Sequence, residues 1–360
     1  MQTQELKEQV NNSGVCNLIC SHLAGSHAYG TSTPSSDVDV RGIFCAERGN
    51  ITTPFRPYRE QTIESMEDAK VYEVSNYLEL YIKGNPNILE SLWVEDCDVL
   101  TSSEAYEYLK QYRQQLLSKK VAFTYPGYAL SQLKRIKGHN KWINNPCPVE
   151  PPKQTKYVTM VQNFTDKKIL PSEFTLENYR KDCRLIPFGG NLYGLYIERS
   201  FTKGYNSFNE KYQLNTVFKD ESRVGFGAPD LIVKWNKEEY NLAKDNHTNY
   251  WKWKNNRNVV RSELEEKYGY DSKHAMHLVR LLRSGEEILS EGIVRVKRHD
   301  AEELLSIRNG AWTYEELIEY AEEKDNYVRT TLYNSSDLPK KPDLKLAEKV
   351  LIDIQDMFWK

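Results

Sequence analysis

Residues 15–40 constrain this chain more than any other stretch. VCNLICSHLAG is a mostly apolar run ending in glycine, followed by a small polar loop and then by DVDV, where aspartate alternates with valine. The first reads as a buried strand and the second as the start of another, with residues two apart on one face. Asp37 and Asp39 then project together while Val38 and Val40 turn to the core. Two like charges held side by side repel unless a cation sits between them. The pattern therefore predicts a metal site at one end of a sheet, beside a turn in which Gly25 lets a phosphate approach the backbone and Ser26 offers a hydroxyl and an N–H.

Two carboxylates so placed suit one Mg²⁺ (or Mn²⁺), or two ions about 3.5–4 Å apart in two-metal phosphoryl transfer. A third carboxylate is expected from DAKVYEV, read as a strand over residues 68–74. Asp68 is the choice, sharing a face with Lys70 and Tyr72; Glu64, Glu67 and Glu73 are the alternatives, because a one-residue slip reverses every face. A calcium loop is excluded: counted from Asp37, Arg41 and Arg48 fill the fifth and twelfth positions, where an EF-hand needs an oxygen ligand and a glutamate. Against any metal stands the plain alternative that Asp-x-Asp arises by chance among 51 acidic residues.

The 360 residues suit two or three domains, and 39% hydrophobic with 28% charged residues is ordinary for a globular protein. A formal charge of -2 excludes a surface that coats nucleic acid throughout but leaves room for a local basic face. The six cysteines are scattered without a CxxC pair, which argues against structural zinc. With a polar N-terminus and no apolar run near 18 residues, the sequence reads as a reduced, cytoplasmic protein without a membrane span.

Helix is expected over residues 4–11, from Ser75 to the KGNPN break, over Ser103–Leu117 and over Pro126–Lys137. NNPCPVEPPK then marks a joint. KYVTMV, NLYGLYIE and DLIVKW read as strands, and helix dominates afterwards, with a capping box at Thr313 and Glu316 and a final stripe of Leu344, Ala347, Leu351, Ile354 and Phe358. The expected divisions are 1–120, a helical connection 121–150, a mixed α/β middle region 151–245 and a helical region 246–360.

GSHAYGTSTPSSDVDVRGIF, LYIKGNPNILESLW, YALSQLKRIKGH and YGYDSKHAMHLVRLLRSGEEIL together resemble the RNA-repair-pathway branch of the DNA polymerase β-like nucleotidyltransferases, including versions carried by large tailed phages. The resemblance spans residues 17–290 in pieces. It implies an α+β fold, a mixed nucleotidyltransferase sheet with a helical second part, and transfer of a nucleotide from an NTP to a hydroxyl on RNA or another acceptor. Carried over by position, Gly25 and Ser26 contact phosphates, Asp37 and Asp39 bind two metals and Asp68 completes the triad. Nucleotide transfer to protein, or a silent nucleotide- or RNA-binding module, are the competing readings.

Other nucleotide contacts are expected from three places. In SKHAMHLVRLLRSGEEIL, a buried stripe of Ala275, Leu278, Val279, Leu282 and Leu289 leaves Lys273, His277, Arg280 and Ser284 opposite, and His277 and Arg280 offer cations to a triphosphate. A metal at His274 and His277 lacks a third ligand. The helix YPGYALSQLKRIKGHNKW presents Ser131, Gln132, Lys134 and Arg135, and Tyr29 is placed to stack on a base or sugar. In NYWKWKNNRN, Trp251, Lys252, Trp253, Lys254 and Arg257 combine rings and cations as single-stranded nucleic-acid sites do, though rings on a helix more often pack in a core.

Overall fold

A computed structural model describes residues 2–53, 55, 59–63, 68–166, 170–179, 183–197, 227–257 and 259–359. The chain forms two compact units, one of residues 1–144 and 259–360, the other of residues 145–258. Helix 121–144 and everything after 259 thus pack with the N-terminal sheet, where the sequence suggested separate segments. The α+β expectation holds.

The first unit is built on a mixed sheet in the order β3 (Glu60–Thr62), β4 (Ala69–Glu73), β2 (Val40–Phe44), β1 (Leu18–Leu23), β5 (Val99–Ser102). β1 and β2 are antiparallel, with Leu23 opposite Val40, whereas β2 and β4 run parallel with Val40 opposite Ala69. Strand β2 starts at Val40, so Asp37 and Asp39 lie just before the ladder. Asp68 precedes β4 by one residue and sits in a turn with φ +64°, a left-handed conformation that aspartate tolerates, rather than in the strand expected for it. The parallel register, extended one step, sets Asp68 alongside Asp39.

Glu73 is fully buried and unavailable for a metal: its carboxylate accepts from the backbone N–H of Ser75 at 2.7 Å and from the Ser75 hydroxyl, capping the helix Val74–Ile82. Glu64 and Glu67 lie outside the described residues. The short strands β3 and β5 were not legible in the sequence, β3 because EQT carries no apolar alternation.

The helix Val121–Asn144 begins five residues before Pro126, which it accommodates. It packs along the helix Ser272–Glu291, the two sharing a core of Tyr125, Ala129, Leu133, Leu278, Val279 and Leu282. The helix Ser272–Glu291 is buried on both sides, since Arg280 and Ser284 are 2% and 3% exposed. In the last helix, Leu344–Phe358, Ala347, Val350 and Ile354 are buried but Leu344 at the first turn is exposed.

Thr313 and Glu316 make both bonds of the expected capping box at the helix Tyr314–Tyr327. Thr313→Ala is expected to lower unfolding free energy by about 0.5–2 kcal/mol, read by urea denaturation.

The second unit holds an antiparallel sheet in the order β6 (Val158–Asn163), β9 (Leu231–Trp235), β8 (Leu192–Ile197), β7 (Cys183–Gly189), with a small core of Leu176, Cys183, Leu195, Leu231 and Val233. Its helix Lys237–Asn255 carries Trp251, Lys252, Trp253 and Lys254, with Arg257 just beyond its end. Among the described residues, no helix is long and apolar enough to cross a membrane.

Candidate active site

A cleft of about 530 Å³ in the first unit is lined on one side by Gly25, Ser26, Asp37, Asp39 and Arg41. Lys273, His274, His277 and Arg280 come from the helix Ser272–Glu291, Gln132 and Arg135 from the helix Val121–Asn144, and Arg308 ends the helix Ala301–Arg308. Acidic residues from the sheet thus share one cavity with cations from three helices.

Gly25 opens a five-residue helix with φ +59°, and a Cβ there would overlap Asp39 Oδ2 and come within 3.0 Å of Asp39 Cγ. Glycine is therefore required twice, for backbone conformation and for the room that the carboxylate occupies. The Ala24 N–H donates to the Asp39 carbonyl at 2.9 Å, fastening the turn to the strand it serves. Gly25→Ala is expected to cost about 1–2 kcal/mol in stability, measured by thermal melting.

Burial raises the pKa of Asp39; Arg41 opposes that shift, and Asp68 and Asp37 add to it. Asp37 and Asp68 thus both disfavour the charge on Asp39. Arg41 is the present counter-charge: Nη2 lies 3.5 Å from Asp39 Oδ1, and Nη1 donates to the Asp68 carbonyl at 2.6 Å. Asp68 itself is exposed and is not among the residues lining the cleft. Among the described residues, the acidic groups with ligand atoms gathered within 4.8 Å are Glu95, Cys97, Asp98 and His139, Glu265, Asp271, not these three.

Under the cleft, Arg280 Nη1 donates to Glu90 Oε1 at 2.7 Å and Tyr29 Oη donates to Glu90 Oε2 at 2.7 Å. The Arg280 guanidinium stacks 3.7 Å from the Tyr29 ring centre. Tyr29 thus has its ring covered by Arg280 rather than offered to a base, and Arg280 is half of a buried ion pair rather than an unengaged cation.

His277 is not a cation either. Burial and then the charges of Arg280, His274, Lys273 and Arg135 push its pKa well below the usual imidazole value. Its Nδ1 faces Arg280 Nη2 at 3.4 Å and, arginine having only donors, must accept.

Gln132 and Arg135, three residues apart, share the helix face toward the cleft. Lys134 lies off that face, exposed and outside the lining, and the Ser131 hydroxyl is turned back to the Tyr128 carbonyl at 2.6 Å. Arg41 and Arg308 were not foreseen. Arg41 had a signal, the same two-residue spacing that pairs Asp37 with Asp39; Arg308 had none.

In the second unit, Trp251 is partly buried and donates from Nε1 to the Pro148 carbonyl at 3.0 Å. Lys254 lies 5.3 Å over the Trp251 ring and Arg257 4.5 Å over that of Trp253, so cations of the same segment cover these rings; Lys252 is exposed.

Compared with known families, residues 1–156 match the model described as RlaP, RNA repair pathway DNA polymerase beta family. Neither curated proteins nor solved structures gave a match.

Proposed function

We propose, from the match of residues 1–156 to the model of the RNA repair pathway DNA polymerase beta family, that this chain transfers a nucleotide from an NTP to a hydroxyl at an RNA end, using divalent metal. The observation that carries the reading is the single cleft that brings Gly25, Ser26, Asp37 and Asp39 opposite Lys273, Arg135 and Arg308. A triphosphate is a multiply charged anion. It needs backbone approach at one end and cations not already neutralised by the metal ligands at the other.

Asp37 and Asp39 are the residues that would hold Mg²⁺ or Mn²⁺, with Asp68 beside Asp39 as the third carboxylate. The donor set fits, because hard oxygen ligands on neighbouring carboxylates suit these ions, and the Asp39 carboxylate has its room only because residue 25 lacks a Cβ. When bound, two such ions lower the pKa of the attacking hydroxyl and offset charge on the departing pyrophosphate. Gly25 and Ser26 present backbone and hydroxyl to the phosphates. Arg135, Lys273 and Arg308 orient the triphosphate, and the Glu90–Arg280–Tyr29 network fixes the floor on which it rests.

Each α-labelled NTP, incubated separately with the protein, Mg²⁺ and total RNA, is expected to label RNA with one NTP preferred. Label in protein instead moves the acceptor to a side chain. No labelled product of any kind, with Asp37→Ala indistinguishable from the unaltered chain, leaves only a silent binding module.

A further inference from the structure

Resting on the nucleotidyl-transfer reading, we propose that Tyr128 is the platform on which the terminal base of the acceptor strand stacks as its hydroxyl enters the cleft. Tyr128 stands on the helix Val121–Asn144 and is 38% exposed. Gln132 and Arg135, four and seven residues further on, share its face of the helix, and both line the cleft. At 1.5 Å of rise per residue, the row from Tyr128 to Arg135 is about 10 Å long. It runs from open surface into the cavity.

The ring is held in place and its faces are uncovered. Its hydroxyl accepts from Asn85 Nδ2 at 3.1 Å, while Asn85 Oδ1 accepts the Asn87 backbone N–H at 3.1 Å and caps the helix Pro86–Leu89. Asn87 itself lines the cleft. Tyr128 is thus tied to the edge of the cavity from two helices, and a ring fixed beforehand lowers the entropy cost of stacking on it. The other candidate rings are engaged: Tyr29 lies under Arg280, Trp251 and Trp253 under cations of their own segment, and Phe123, exposed on the same helix, packs edge-on against Tyr333 at 5.3 Å. Among the described residues, no ring or cation stacks on Tyr128.

The position of the ring selects the acceptor rather than the NTP. Tyr128 is not among the residues that line the cleft, so a nucleotide seated between Gly25 and Arg135 lies inward of it. A strand that brings its end to that nucleotide extends out over the rim. An unpaired base there offers a flat face that stacks on an aromatic ring whichever base it is. Gln132, next along the row, supplies an amide that both donates and accepts, for the edge of that base or its sugar.

The test is equilibrium binding of two short RNAs, titrated without NTP, that differ only in the last residue: one ends in 2-aminopurine, whose fluorescence falls on stacking, the other in an abasic sugar. Each NTP is titrated separately without RNA. Tyr128→Leu is expected to weaken binding of the 2-aminopurine RNA by about 5–100-fold and to remove the quenching that binding causes, with the abasic RNA and the NTPs bound as before. Tyr128→Phe keeps the ring and is expected to retain most of the affinity, and both variants, altered at an exposed position, are expected to melt like the unaltered chain. Equal weakening of the two RNAs, or none, overturns the proposal. So does a loss confined to the NTPs, which would assign the ring to the incoming base, and so does failure of the unaltered chain to bind either RNA. Neither titration involves turnover, so a chain that stacks the RNA end on Tyr128 yet transfers nothing from any NTP overturns the transfer reading alone.

Discussion

Asp39→Asn is expected to cut nucleotidyl transfer by about 10³-fold or more while leaving the fold as stable as before or slightly more so. On the proposed reading the catalytic loss follows from removing a metal ligand worth several kcal/mol of transition-state stabilisation, at 1.36 kcal/mol for each factor of ten. The absence of a stability penalty follows from the surroundings: burial, Asp68 and Asp37 all disfavour the charge on Asp39, against the support of Arg41 and Lys273. A neutral amide of the same shape relieves that repulsion, a trade of stability for function common at active sites. Single-turnover rates and thermal melting on one preparation decide it. A large drop in melting temperature alongside the lost activity would mean that Asp39 serves the fold instead.

The largest stability effect is expected at Arg298. This residue is 4% exposed; it grips Glu287 with two bonds of 2.6 and 2.7 Å, donates from Nε to Asp300 at 2.8 Å and reaches Ser284 at 3.3 Å. Its backbone N–H donates to the Tyr29 carbonyl at 3.0 Å, joining this charged knot to the cleft. Arg298→Met keeps most of the volume but strips both carboxylates of a partner, and is expected to cost about 3–5 kcal/mol by urea denaturation.

The acid limb reports the same knot. Burial alone would raise the Asp300 carboxyl, but hydrogen bonds from Arg298 and Arg283 and their charges bring it down to about 2. A carboxyl depressed in the folded state contributes stability above its unfolded value, and loses it as pH falls from about 4 toward 2. In Arg298→Met that limb is expected to be shallower.

The sequence made the acidic side of the cleft legible and the basic side only in part, for a physical reason. Strand alternation is local, so Asp37, Asp39 and the need for Gly25 follow from neighbours within fifteen residues. Whether a cation stands alone or is paired is decided by residues far along the chain. Arg280 finds Glu90 across 190 positions, which no helical wheel reports, and so a face that looked solvated is buried. His277 looked like a cation for the same reason: the charges that keep it neutral include Arg135 from another helix. Asp68 was reached by counting back from the KGNP motif and set in a strand; the strand exists, but it begins one residue later. Lys134 and Arg135 are adjacent in sequence and differ only in where the helix Val121–Asn144 turns them.

The first unit is discontinuous, interrupted by residues 145–258, and this bears on the order in which the protein is made. A nascent chain synthesised as far as residue 258 already carries Gly25, Asp37, Asp39 and Glu90, yet Arg280 and Arg298 have still to be added. Until the later residues arrive, Glu90 lacks the Arg280 guanidinium and the cleft lacks Lys273 and Arg308. The cationic side of the cleft is therefore completed late in translation, and a chain that stalls before residue 280 leaves the ribosome with half a cleft.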